Sequence, residues 1–178
     1  MLTDEQVTDL IQRCHQASVD GGWWHDLHTG ERLERNRAEL LCLIHSEISE
    51  GYDADMFEEY DDKLPHRKGA EVELADALIR VCDYAGGLGY TAVAQIEEPW
   101  RVMTWASLHS RVSKIMELER KNKPGVNAAL RVLMSAIVLK GTYDGWDVLG
   151  ALEEKMAFNA QRPDHKPENR RAVGGKKF

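Results

Sequence analysis

Cysteine is scarce. Cys14, Cys42 and Cys82 are odd in number and far apart. They offer neither a disulfide framework nor the spacing of a metal knot, and each falls in a helical pattern where a small buried thiol suits a reducing cytoplasm. Long apolar runs are missing too. None approaches the roughly 20 residues that span a bilayer, and the opening MLTDEQVTDL carries no signal-peptide core. The expectation is a cytoplasmic protein without a membrane partner. Basic charge is in the minority, 23 Lys and Arg against 30 Asp and Glu, for a net charge of −7. That balance argues against general binding to nucleic acid or anionic membranes. There is no convincing β-alternation, no internal repeat and no long linker. Gly86-Gly87-Leu88-Gly89 lacks a Lys-Ser/Thr ending and follows no strand, so it is not a phosphate loop.

What is present is helical periodicity. The 178 residues, 43% hydrophobic, are enough for one domain with a real core. Apolar stripes at helical spacing predict six helices, near 3–18, 31–50, 70–85, 100–121, 126–140 and 146–160. Thr3 caps the first, and Asp20-Gly21-Gly22 stops it. The second ends at Glu50, before Gly51. The fourth follows Pro99 and starts with Trp100 and Val102. Met56, Phe57 and Tyr60 suit a single helical turn. The fold class is therefore all-α, one helical domain over 1–178, with a basic tail at 161–178.

Two of these helices carry paired acids. Glu47 and Glu50 lie three residues apart in the second helix, and Glu73 and Asp76 three apart in the third. Residues three apart share a helix face, with roughly 5–6 Å between their Cβ atoms. Packed antiparallel, the two helices bring four carboxylates together. Carboxylates that close repel and are costly to bury unpaired. A hard cation with oxygen ligands, Mg²⁺ or Mn²⁺, suits the space between them. Glu50 at a helix C-terminus opposes the helix dipole, which a cation would relieve. Glu71 and Asp83 are further acids nearby, and Glu39 and His45 fall on the outer face. The plain alternative is a set of solvated acidic faces on a helical scaffold.

Other candidates lie in loops. Trp23, Trp24 and His25, with His28 close by, can form a stacking wall for a base or sugar, or one tryptophan can pack inward while the other covers a helix end. The basic run Lys63–Lys68 can meet phosphate or stay solvated.

The acidic pairs, with the 22 residues 51–72 between them, resemble the signature of MazG-like all-α nucleoside triphosphate pyrophosphohydrolases. The surrounding text is similar as well: Glu39-Leu-Leu-Cys-Leu-Ile-His-Ser-Glu47-Ile-Ser-Glu50, and Glu73-Leu-Ala-Asp76-Ala-Leu-Ile-Arg. Glu154-Lys155-Met-Ala-Phe-Asn159-Ala-Gln-Arg162 resembles the family's C-terminal Lys-x-x-x-Asn-x-x-Arg segment, and Gly175-Lys176-Lys177-Phe178 resembles the ending of phage and bacterial members. The resemblance covers residues from about 31 to 178. It departs in the long stretch between the acidic helices and the last helix, and the first helix is not part of the shared pattern.

The resemblance implies a bundle of the MazG or dimeric dUTPase-like type, completed by oligomerisation into dimers or tetramers. It implies hydrolysis of a (d)NTP to the monophosphate and pyrophosphate, with Mg²⁺ as cofactor and Mn²⁺ as substitute. Glu47, Glu50, Glu73 and Asp76 would be the metal ligands, and Glu47 or Glu50 the general base. Lys155, Asn159 and Arg162, spaced by four and three residues, would hold phosphate oxygens, with Lys166 and His165 as contributors, and the basic tail 161–178, by composition a disordered segment, would close over the triphosphate. Trp23, Trp24 and His25 would contact the base. Deoxyguanosine triphosphate, dUTP and dCTP are all substrates in the family. A non-catalytic scaffold, or a nucleic-acid binder using the tail, are the readings from other classes.

Overall fold

A computed structural model describes residues 2–96, 103–172 and 174. Among the described residues the chain is helical, with no strand beyond two isolated backbone bridges. The helices are α1 (Asp4–Asp20), α2 (Arg37–Met56), α3 (Gly69–Leu88), α4 (Trp105–Arg120), α5 (Val126–Asp144), α6 (Val148–Gln161) and the short α7 (Pro167–Arg170), with a 3₁₀ turn at Pro163–His165 before α7. None of the described helices is long and apolar enough to cross a membrane.

Helix α3 is the central rod. It packs against α1, α2, α5 and α6, while α4 lies on α2 and α5. Its sequence permits this. Val72, Leu74, Ala75, Ala77, Leu78, Val81, Cys82 and Ala85 are all buried, so apolar residues cover most of its circumference. The core continues through Leu41, Ile44 and Ile48 of α2, Leu108, Val112 and Ile115 of α4, and Leu130, Leu133 and Ile137 of α5.

Several helix ends differ from the sequence expectation, each for a local reason. Helix α2 starts at Arg37, not near 31, because Asn36 caps it by accepting from the amides of Ala38 and Glu39. It also runs on through Gly51 to Met56. Gly51 is not a stop. A Cβ there would meet Trp105 Cη2 at 2.7 Å and Glu73 Cβ at 3.2 Å, so the glycine lets α2 lie close to α3 and α4. Glu50 is therefore mid-helix, and the dipole argument for a cation beside it does not apply. Gly86 and Gly87 likewise lie inside α3, beneath His15 and Trp24, and the cap is Gly89 in the left-handed conformation. Helix α4 starts at Trp105, capped by Thr104, and α6 at Val148, capped by Asp147. Trp100, Val102 and Gly175–Phe178 lie outside the described residues. Cys14 and Cys82 are buried free thiols, whereas Cys42 is exposed.

Candidate functional site

Helical spacing brings one set of polar residues to a common cleft of about 620 Å³. On α3, Glu73, Asp76, Arg80 and Asp83 recur at three and four residues and line one wall. On α2, Glu47 falls one turn beyond Ile44, at the edge of the buried stripe, and Glu50 one turn further at the exposed rim. Lys155 and Asn159 of α6, with Arg162 and Lys166 beyond it, form the opposite side. The end of α1 and Trp23 close the cleft.

The acids meet as the spacing predicts, with one exception. Glu47, Glu73 and Asp76 each offer a carboxylate oxygen within 4.8 Å of the others. Glu50 lines the cleft but is not in that triad. Two cations are already engaged. Arg80 Nε donates to Glu47 Oε1 at 3.0 Å, and Lys155 Nζ lies 2.8 Å from Asp76 Oδ2. Lys155 is buried, 3.7 Å from the buried Asp61, whose other oxygen accepts the amides of Lys63 and Leu64.

These cations do not fully balance the acids. Burial, then the neighbouring Asp76 charge, pushes the Glu73 carboxyl up to about 8. Burial also raises Asp76, against the pull of Lys155. On Lys155 burial acts to lower the ammonium, but Asp76 and Asp61 outweigh it and hold the proton more tightly than usual. The donor set, three carboxylates opening onto a polar cleft, fits a hard divalent cation and does not fit a soft one.

The remaining candidates divide. Among the described residues the Oδ1 atom of Asn159 is buried at the cleft wall with no hydrogen-bond partner, where it suits a ligand donor or a bound cation. Arg162 reaches the cleft but forks onto Asp164, at 2.9 and 2.6 Å. Lys166 donates to the Ala160 carbonyl at 2.9 Å and also lines the cleft. The aromatic wall is not assembled. Trp23 lines the cleft, but Trp24 points into the core, 2% exposed, its indole N–H donating to Asp83 Oδ1. Two adjacent residues in a tight loop cannot face the same way. His25 is not among the cleft residues and pairs through its backbone with Arg32.

The basic run Lys63–Lys68 also splits. Lys63 lines the cleft, whereas Arg67 binds Glu71 and Glu154. Arg80, though it ends the Glu73-Leu-Ala-Asp76-Ala-Leu-Ile-Arg stretch, and Asp61 are not among the site residues the sequence suggests. Arg80 was findable, because it stands four residues after Asp76 on the same face. Asp61 carried no signal, since a loop acid acquires its role only when α6 packs against it. No protein-family model matches this chain, and no curated protein or solved structure does either.

Proposed function

We propose that this chain is a metal-dependent nucleoside triphosphate pyrophosphohydrolase, converting a (d)NTP and water to the monophosphate and pyrophosphate. The observation that carries the reading is the meeting in one cleft of the Glu47–Glu73–Asp76 triad and the Lys155, Asn159, Arg162 and Lys166 set. Triphosphate chemistry needs both halves: oxygen ligands for a cation, and positive or amide donors for phosphate oxygens.

Glu47, Glu73 and Asp76 would hold Mg²⁺ or Mn²⁺, with Glu50 joining from the rim. Bound there, the metal would neutralise phosphate oxygens and acidify a water. The chain's own residues do the rest. Lys155 is held by Asp76 and Asp61 and presents a fixed ammonium at the cleft floor. Asn159 supplies an amide on the same α6 face. Arg162 and Lys166 bind the outer phosphates, Arg162 by exchanging its Asp164 fork for a phosphate fork. Glu47 accepts a hydrogen bond from Arg80 Nε, and Glu50 at the rim is open to water; one of the two accepts the water proton.

Self-association belongs to the same proposal. Tyr52, Met56, Phe57 and Tyr60 form an exposed apolar group at the end of α2, with Phe57 74% exposed, and a second copy would cover it. The test is pyrophosphate release from the canonical ribo- and deoxyribonucleoside triphosphates with Mg²⁺, with Mn²⁺ and with EDTA. Metal-dependent release abolished by Asp76→Asn is the expected result. Release that persists unchanged in Asp76→Asn removes the site. No release from any substrate favours the scaffold reading.

A further inference from the structure

The face of Trp23 is already taken. The Arg170 guanidinium lies 3.4 Å from the centroid of the indole, the separation at which a base would stack. His165 meets the same ring edge-on, with centroids 5.7 Å apart. Arg170 also donates to the Gly21 carbonyl, and Arg171 to that of Leu27. The segment after α6 thus leaves one wall of the cleft and ties to the loop on the other. Arg162, His165, Lys166 and Pro167 line the cleft on the way across.

The seat is built from both sides. A Cβ on Gly21 would come within 2.8 Å of Trp23 Nε1. Gly22, at φ 72°, leaves room for Leu27, and there a Cβ would approach Arg170 Nη1 at 3.5 Å and Pro167 Cγ at 3.7 Å. The Gly-Gly pair that stops α1 therefore clears the space in which the indole and the crossing segment meet. Arg35 donates to the Trp23 carbonyl and fixes its backbone from the far side. Bonds inside the segment, Lys166 to Ala160, Asn169 to Pro163 and Arg162 to Asp164, span only two to six residues. They shape the segment but do not anchor it across the cleft.

We propose that Trp23 and Arg170 are positioning residues that seat the segment 162–171 as a strap over the cleft, and so hold Arg162 and Lys166 at its mouth. Trp23 is then a latch post rather than a base wall. The strap itself follows from the contacts alone. Its role toward phosphate rests on the proposed pyrophosphohydrolase reading.

The test is the rate of cleavage after Glu168 by a glutamate-specific protease, on the full chain, with and without inorganic tripolyphosphate and Mg²⁺. Arg170→Met and Trp23→Leu are each expected to speed cleavage about fivefold, from the size of a partly exposed cation–π contact. Trp23→Phe keeps an aromatic face and should stay near the parent rate. The double variant should be no faster than Arg170→Met, which already removes the ring contact together with the bond to Gly21. If Trp23→Leu loses its fold by circular dichroism, Arg170→Met, on an exposed short helix, decides alone. Cleavage unchanged by Arg170→Met overturns the strap. Tripolyphosphate should slow cleavage of the parent chain, and bind about fivefold more weakly to Arg170→Met, the same contact having been lost. Faster cleavage in the variants with no effect of tripolyphosphate on the parent upholds the strap and overturns its phosphate role.

Discussion

Helices α3 and α6 carry the acids of two neighbouring charge clusters, and the clusters are opposites. In the first, Arg67 stands among acids that all need it. Its Nη1 binds Glu71 at 2.7 Å, its Nη2 binds Glu154 at 2.8 Å, and His66 adds a second contact to Glu154 at 2.7 Å. The hydrogen bonds from Arg67 and then His66 pull the Glu154 carboxyl down to about 2. In the second, Glu73 is pushed up to about 8 by burial and by its acidic neighbours. Glu71 and Glu73 are two residues apart, and Glu154 and Lys155 are adjacent. The same two helices thus balance the first set of acids and under-compensate the second: Arg80 holds Glu47 and Lys155 holds Asp76, while burial and acidic neighbours still press on Glu73. That imbalance is what the proposed metal site would relieve.

That contrast can be broken at either end. The largest expected effect is at the cleft. On the proposed reading, Asp76→Asn should lower metal-dependent pyrophosphate release about 1000-fold, the scale of losing a metal ligand that also pairs with Lys155. Release assays with the purified variant, its helicity checked by circular dichroism, measure it.

Arg67→Ala attacks the satisfied cluster. It strands Glu71, which also accepts the Asp147 amide, and should cost about 3 kcal/mol in urea unfolding. An effect below that of an ordinary surface change would mean that the two clusters do not differ as described.

Glu73→Gln sharpens the comparison, because it should stabilise the metal-free chain. A carboxyl whose folded pKa is raised contributes stability below its unfolded value, and that contribution is lost as pH rises through the folded one. For Glu73 the loss runs from about 4.5 to about 8. In EDTA, the variant should therefore gain up to about 4 kcal/mol over the parent at pH 8 and nothing at pH 4. Paired melting curves across that range decide it. A variant less stable than the parent at pH 8 would show that the triad is already balanced.

The smallest effect is expected at His66. It is 63% exposed and only supplements Arg67, so His66→Ala should change stability by less than about 0.5 kcal/mol.

The legible parts of the sequence were those governed by one helix at a time. Apolar stripes located all six long helices, and three-residue spacing placed Glu73 beside Asp76. What was not legible depended on contacts between elements. Gly51 reads as a stop and Gly86 falls just past the expected helix end at 85, yet both serve close helix approaches. Trp23 and Trp24 allow two readings, a stacking wall or one ring packed inward and the other over a helix end, and it takes Asp83, Gly87 and Arg170, from distant elements, to decide for the second. Arg162 read as a free phosphate ligand because Asp164, two residues later, gave no hint of folding back on it.

Gly51 carries one more consequence. It touches no cleft group through a side chain, yet the α-carbon spacing it permits sets where the Glu73 Cβ sits. A saturation library scored for lost turnover would return this glycine alongside the carboxylates. Read as a list of essential positions, it would be mistaken for part of the chemistry. Its intolerance is that of a bearing surface: a single methyl would force apart two rods whose separation fixes the alignment of everything mounted on them.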